Sequence, residues 1–503
     1  MSGRALIANM AWGLSCLPAY LRFRAAIARP AQTQASILRR LVHAASQTAF
    51  GREHHFEQIR DYHDFASRVP IRDYGEFEPY IDRIRRGEQG VLSPEPVIRL
   101  ATTSGTTSGR KLIPYTRRLQ QEFNSAIGPW IVDLFHSDPL LMTGPAYWSI
   151  SPAIRDQRAE DSAVPIGFEE DGEYLGGITG RLINWAMAVP ASVRHAADID
   201  EFRANTLAEL RRQPGLRLIS VWHPSFLSLL IGDAVQNPLE IWPGLRVISC
   251  WADARAKIAA KQLEARFPDV RVQPKGLIAT EAIISIPFGG QFPLSISSHF
   301  LEFIDEKGVV HLSHELMDGA LYDVVVTTGG GLWRYRLNDR VRVEGFLGQT
   351  PSIRFVGKSG NISDLFGEKL SETFVSQILD QLHADGEWSG TFAMVAPEGN
   401  SYVFYIEGHA APSIRARLDR MLRENPHYSY CRDLGQLGPT RIFKIRNDAN
   451  EAMLLRLSTL GQRLGDIKPT ALSRLGDWQN YFEGQYVDEL NRGADRGFTG
   501  TLV

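Results

Sequence analysis

Residues 102–114 read TTSGTTSGRKLIP, and the fold is decided by how this stretch is understood. Positions 102–109 hold four threonines, two serines and two glycines, and Arg110 and Lys111 follow at once. Glycine lets backbone N–H groups approach an anion closely, hydroxyls add donors, and two cations add charge, a combination suited to a polyphosphate. A Walker A loop would need G-x-x-x-x-G-K-[ST]. Here three residues separate Gly105 from Gly109, and Leu112 follows Lys111 where a hydroxyl for Mg²⁺ would be required. The P-loop reading therefore fails. A phosphate-binding loop of another kind stands beside the plain alternative of a solvated turn.

Working outward, GLIATEA (276–282) sets Thr280 and Glu281 at the end of an expected strand, and GLWRYRLND (331–339) ends in Asp339. A carboxylate at a strand end is, taken alone, more often a cap or a solvated group than a ligand. LRLISVW (216–222) and LRVISCW (245–251) are short β-rich runs followed by segments of helical period, the alternation of an α/β fold. SISSHFLEFIDEKGVVHLSHE (295–315) alternates on both sides of Glu306-Lys307-Gly308 and predicts a hairpin, to which YDVVVTT (322–328) adds a strand. Nearer the N-terminus, Ile37, Leu38, Leu41 and Val42 recur at helical spacing within 33–46. After the strand IRFVG (353–357) comes the polar KSGNISDLFGEKLSE (358–372), which reads as a linker. Helices over 373–384 and 411–423, strands over 390–396, 401–406 and 441–445, and a last helix then describe a small α+β domain.

The chain has 503 residues, 44% apolar and 22% charged, enough for two to four domains with sizeable cores. Its 55 Lys+Arg and 57 Asp+Glu nearly cancel, which gives no ground for expecting a nucleic-acid partner. Cys16, Cys250 and Cys431 are odd in number and form no CxxC pair, so a disulfide framework and a cysteine zinc site are unsupported and a reducing cytosol fits best. The apolar run Ala5 to Leu21 is interrupted by Gly13 and Pro18 and passes into the Arg-rich YLRFRAAIARP, which favours a helix packed on the body over an exported leader. No segment reads as a membrane span.

The order of these motifs resembles the adenylate-forming superfamily of acyl and aryl ligases. RKLIPYT (110–116), WPGLRVISCWAD (242–253), YDVVVTTGGGLWRYRLND (322–339), GEKLSE (367–372) and the early ILRRLVHAASQTAFGREHHF (37–56) resemble one branch, the GH3 family of auxin-responsive acyl acid amido synthetases. The resemblance implies an α/β fold: a large N-terminal adenylate-forming domain of mixed sheets and helices (1–357), a hinge (358–372) and a small mobile α+β C-terminal domain (373–503). It implies that Thr103, Ser104, Gly105, Thr106, Thr107 and Lys111 wrap the phosphates of ATP. Thr280 would sit beside the α-phosphate, Glu281 would hold Mg²⁺ as a hard oxygen ligand, and Asp339 would accept from both ribose hydroxyls. Lys358 stands where the superfamily usually has arginine. Lys369 lies in the GEKLSE match, and Lys468 in GDIKPTALSR falls where the family has a lysine that binds the adenylate as it forms.

The reaction implied has two halves: a carboxylic acid is adenylated with release of pyrophosphate, then an amine, expected to be an amino acid, takes the acyl group and AMP leaves. ATP and Mg²⁺ are the implied cofactors, with no nucleic acid, membrane or obligate protein partner and a cytoplasmic setting. A ligase with a thiol acceptor such as coenzyme A, and an inactive relative that only binds ligand, remain alternatives. Trp130, Phe135, Trp148, Trp185 and Trp222 are expected to line an acyl pocket or to form core, and His223 to do either. His311 and His314 face opposite sides of a strand and do not suggest zinc, and His54-His55 read as capping or surface residues.

Overall fold

The computed structural model describes residues 3–102, 111–149, 162–168, 176–190, 192–193, 199–232, 237–254, 256–360, 362–460, 462, 467 and 469–487. The chain divides into two compact units, Met1–Asp253 with Ala260–Val356, and Ala254–Ala259 with Gly357–Val503.

In the first unit the two β-rich runs supply strands Leu218–Ser220 and Val247–Cys250. With Ala146–Trp148 on one side and Arg271–Pro274 on the other they form a four-stranded parallel sheet. Parallel neighbours require crossovers, which Ile199–Arg211, Pro224–Ile231 and Ala256–Arg266 provide. A second, five-stranded sheet runs in the order Thr350–Lys358, Tyr335–Leu347, Leu321–Thr327, Phe300–Ile304, Val310–Leu312. Its last two strands are the predicted hairpin, paired Phe303 to His311. The Asp305 carboxylate accepts from Lys307 N at 2.9 Å and Val309 N at 2.8 Å to close the turn, and His311 Nε2 lies 3.1 Å from the same side chain. His311 is thus part of the hairpin.

The apolar run near the N-terminus forms the helix Gly3–Ala26, which buries Ala8, Trp12, Cys16, Ala19 and Phe23 along one stripe. It packs on the helix Arg117–Ser137 so closely that a Cβ at Gly128 would come 2.9 Å from the Ala19 methyl. Helix Pro30–Ala45 buries the predicted Ile37, Leu38, Leu41 and Val42. Its Gln34 donates to the carbonyls of Ile296 and His299 and accepts from Leu301 N, docking the helix on the five-stranded sheet. Among the described residues no helix is long and apolar enough to cross a membrane.

The second unit lays helices Glu372–Ala384 and Ile414–Leu422 on a four-stranded sheet ordered Trp388–Glu398, Ser401–Ala410, Arg441–Ile445, Gly484–Tyr486. Leu379, Leu418, Val395 and Phe404 meet in its core. A small two-stranded ladder, Ile362–Ser363 with Leu370–Ser371, precedes the first of these helices.

One charged pair is sealed inside the first unit. Arg334 is 5% and Glu302 0% exposed, and the guanidinium donates to the carboxylate at 3.0, 3.1 and 2.8 Å, while its remaining N–H groups reach the carbonyls of Ala66 and Val69. Removing one partner of such a pair leaves a buried charge unanswered, at a cost of about 3–5 kcal/mol. Glu302→Ala is therefore expected to lower the urea midpoint of the first unit markedly. A midpoint equal to that of the parent chain would show that the pair does not anchor the sheet.

Candidate active site

The site is assembled around the turn Gly329–Gly331. A Cβ on Gly329 would meet Arg118 Cγ at 2.2 Å, and one on Gly330 would meet the Pro114 carbonyl at 2.7 Å, so only glycine lets this turn lie against the strand Leu112–Tyr115 and the helix after it. Glu122 of that helix, 4% exposed, accepts from Gly329 N at 2.9 Å and from His299 Nδ1 at 3.0 Å. His299 is itself fully buried, and its Nε2 accepts from Ile283 N at 3.2 Å. Because that backbone N–H can only donate, the imidazole proton sits on Nδ1 and points at the carboxylate. Thr116 and Ser93 hydroxyls hold the Gly329 carbonyl at 3.0 and 3.2 Å. One carboxylate thereby ties the segment leaving the Ser/Thr/Gly stretch, the turn before Tyr335 and the chain beside Glu281.

Beyond the turn, the strand Tyr335–Leu347 is interrupted. Arg336 pairs with Val325, yet Arg340 pairs with Asp323, so four positions on one strand span two on its neighbour. This bulge carries Asn338 at φ +60°, and because it adds two positions Asp339 keeps the inward phase of Tyr335 and Leu337, at 1% exposure. The Arg340–Asp323 ion pair at 2.8 Å secures the far side.

Tyr335 lies at the centre with its ring fully buried. Lys111 Nζ donates to its hydroxyl at 3.0 Å and stands over two rings, 5.4 Å from Tyr74 and 5.7 Å from Tyr335. Burial, and then the negative charges of Glu281 and Asp339, push the Tyr335 phenol well above the usual tyrosine range. It stays protonated and serves Lys111 as a neutral acceptor. Lys111 thus meets the Tyr335 hydroxyl, and the charges of Glu281 and Asp339 bear on the same phenol. Glu281 is 8% exposed and follows Thr280, which is half-buried, in a turn closed by Ala279 N donating to Ala282 O at 2.9 Å. A buried carboxylate fits a magnesium–nucleotide, since Mg²⁺ keeps waters and phosphate oxygens and needs only one or two protein carboxylates.

Thr103, Ser104, Gly105, Thr106, Thr107 and Lys468 lie outside the described residues. Lys358 and Lys369 belong to the second unit. Lys358, half-buried, ends the strand Thr350–Lys358. Lys369 is exposed at φ +46°, a left-handed conformation that costs a lysine energy. The turn that holds it there is firm: buried Glu368 accepts from Leu365 N at 2.7 Å and Phe366 N at 2.8 Å, and the Tyr402 hydroxyl donates to it. Glu372 nearby accepts from Thr470 Oγ1 at 2.7 Å and Ala471 N at 3.2 Å, which brings the segment after Lys468 to the end of the GEKLSE stretch.

Sequence reasoning missed Tyr74, Glu122 and His299. Only Glu122 had a visible signal, a lone carboxylate between Leu119, Phe123 and Ala126 on the buried face of its helix. Of the expected pocket residues, Phe135 is core against Trp12, Trp185 is 53% exposed, and buried His223 caps helix Pro224–Ile231 through Ser225 N.

Comparison with known proteins places the fold first. A solved acyl acid amido synthetase, AtGH3.15 in complex with 2,4-DB, superposes with a TM-score of 0.78 at 18% identity over 93% of this chain and 95% of its own. A 2-hydroxyisobutyryl-CoA ligase in the postadenylation state superposes at 0.51 with 11% identity over 94% and 90%. The fold is that of the adenylate-forming enzymes. Residues 19–232 match the GH3 family N-terminal domain and 292–358 the GH3 family central domain, together more than half of the chain, and the chain belongs to the GH3 family. An indole-3-acetic acid-amido synthetase of Arabidopsis thaliana, GH3.2, is 20% identical over 469 residues, 76% of this chain and 83% of the relative.

Losing a charge-assisted hydrogen bond of about 1.5–3 kcal/mol accelerates local opening about tenfold or more. Glu122→Ala is accordingly expected to speed amide hydrogen exchange at Gly329 and Ile283 together, and Glu122→Gln, which keeps an acceptor oxygen, less so. Unchanged exchange at both amides would remove Glu122 from this role.

Proposed function

We propose that this chain is an ATP-dependent acyl acid amido synthetase, which adenylates a carboxylic acid with release of pyrophosphate and transfers the acyl group to an amino acid with release of AMP. The observation that carries the reading is the Lys111–Tyr335 contact, with the charges of Glu281 and Asp339 bearing on the same phenol. GH3 membership and the printed activities of the relatives support the same reaction class.

In this reading Glu281 holds Mg²⁺, which when bound offsets the negative charge of the phosphate oxygens. Thr103, Ser104, Gly105, Thr106 and Thr107 offer hydroxyls and amides to the β- and γ-phosphates. Lys111, steadied by Tyr335, places its ammonium where charge gathers on the departing pyrophosphate, an electrostatic contribution made before the reaction begins. Thr280 lies beside the α-phosphate. Asp339 accepts from the two ribose hydroxyls with its two oxygens, and its burial keeps water from competing. The phenol of Tyr335, held neutral, orients Lys111 and moves no proton. Attack by the acid's own carboxylate on phosphorus, and then by the amine on the acyl carbon, needs no covalent enzyme intermediate, so positioning and charge suffice.

From the small domain, reading the hinge at 358–372 and the domain at 373–503, Lys358, Lys369 and Lys468 supply cations to the nucleotide and adenylate, and turning about the hinge exchanges the two halves of the reaction. The strained φ of Lys369 supports this, because a turn that holds an exposed lysine in unfavourable backbone fixes where its ammonium is presented. Three buried, free cysteines agree with a reducing cytoplasm.

The test is the purified chain with ATP, Mg²⁺, a panel of carboxylic acids, and either amino acids or coenzyme A, read by product mass. Amide products support the proposal; thioesters alone, or no acid-dependent ATP–pyrophosphate exchange, overturn it. Asp339→Ala and Lys111→Ala should each slow the exchange by about tenfold or more. Lys468→Ala should slow adenylation more than acyl transfer, as compared in single-turnover assays of each half; equal loss in both would assign it a structural role.

A further inference from the structure

The parallel sheet of the first unit carries a group that this chemistry leaves unused. Side chains alternate between its faces. Tyr147, Ile219 and Ile248 enter one apolar core, while Ala146, Leu218 and Val247 enter the other, which Trp130 of the helix Arg117–Ser137 also joins. One step along that second face, at the carboxyl ends of the strands, the paired row is Trp148, Ser220, Ser249 and Gln273. An apolar row gives way to a polar one beneath a packed helix. Lys275, just past the last strand and 4% exposed, completes the group. Its Nζ lies 2.5 Å from Ser220 Oγ and 5.3 Å from each of the Trp130 and Trp222 ring centres. Trp130 Nε1 donates to Gln273 Oε1 at 3.1 Å, which fixes that wall.

Core packing does not account for this arrangement. A buried ammonium is costly unless paired. The titratable group that bears on Lys275 is Cys250 of the adjacent strand, whose thiol burial pushes up to about 12, so it stays neutral. Ser220, Trp130 and Trp222, which face the amine from the other elements, carry no charge. Burial accordingly lowers the Lys275 pKa to about 7. Two more donors, the Ser249 hydroxyl and the Trp148 indole N–H, are buried with no hydrogen-bond partner among the described residues. Surplus donors between flat aromatic walls, at the carboxyl ends of parallel strands where α/β sheets take ligands, call for a planar acceptor bearing negative charge.

We propose that Lys275, Ser220, Ser249 and the Trp130 and Trp222 rings form the acid-selecting end of the acyl site, and that it takes a flat aromatic acid bearing a second anionic group. The inference rests on the amido synthetase reading and says which acids such an enzyme prefers. The carboxylate to be activated must meet the nucleotide, where Lys111 already supplies a cation, so the second anion is the one Lys275 holds. Lys275 and Glu281 are six positions apart, which bounds their Cα–Cα separation at about 20 Å. An anion bound beside Lys275 restores its full positive charge, so binding above neutral pH takes up a proton.

Two measurements on the 503-residue chain test this. In the first, adenylation is followed by pyrophosphate release with benzoate and with benzene-1,3- and 1,4-dicarboxylate. The parent chain is expected to favour a dicarboxylate by about tenfold or more in kcat/KM, the worth of one charge-assisted contact, and Lys275→Met to bring that ratio close to one. In the second, calorimetry at pH 8 without nucleotide, in two buffers of different ionisation enthalpy, is expected to show the parent chain taking up most of one proton with the dicarboxylate and none with benzoate. This second measurement needs neither a variant nor turnover. Selective dicarboxylate binding with proton uptake but no adenylation of any acid would sink the enzymatic reading and leave the anion site standing. Adenylation with no preference between the acids, equal loss for both in Lys275→Met, or dicarboxylate binding without proton uptake would overturn the assignment of Lys275.

Discussion

The candidate site depends on a single buried carboxylate. Glu122 lies in the apolar stripe of its helix, where an unanswered charge would cost several kcal/mol. It is answered by Gly329 N, by the imidazole of His299 and, at 3.6 Å, by Arg118. Those donors come from different parts of the chain, and His299 passes the constraint on to Ile283, two residues beyond Glu281. The charge is stable only when all of these segments are in place, so the geometry about Tyr335 is bound up with the folding of the first unit itself. Such networks are worth most when complete, because a half-satisfied one leaves polar groups stranded at low dielectric.

Much of the scaffold was legible in the sequence because it follows from local periodicity. The alternation in LRLISVW and LRVISCW gave two strands of the parallel sheet, the Glu306-Lys307-Gly308 segment gave a hairpin turn, and the helical spacing of Ile37, Leu38, Leu41 and Val42 gave the face of a helix. The motifs bearing Lys111, Glu281 and Asp339 could be picked out by residue type. What brings them together could not, since Lys111 meets Tyr335 across 224 positions and Glu122 meets Gly329 across 207. No window of periodicity spans such distances. Aromatic residues stayed ambiguous for a related reason: Phe135 and Trp130 share one helix, yet one packs against Trp12 and the other faces Lys275. Side-chain type alone does not separate those outcomes.

Backbone strain collects near the same elements. Arg334 at φ +49° and Asn338 at φ +60° flank Tyr335, and Lys369 stands at φ +46° in the second unit. Left-handed backbone in non-glycine residues persists only where surroundings over-determine it. Arg334 shows how: a bidentate carboxylate, two backbone carbonyls and the Thr327 hydroxyl fix its orientation at once. The bulge that follows adds two positions and so keeps Asp339 on the buried phase of its strand, in step with Tyr335, Leu337 and Val341, with the strain taken up at Asn338 beside it.

The helix Arg117–Ser137 joins these observations in a way that sets a length. It carries Glu122, which holds the turn before Tyr335, and Trp130, whose ring stands beside Lys275, eight residues further on. At 1.5 Å per residue the two lie about 12 Å apart along one rod. Clamped from outside by the N-terminal helix through Gly128, that rod fixes the spacing between the turn at Gly329 and the ring beside Lys275, so neither can shift along the helix without the other.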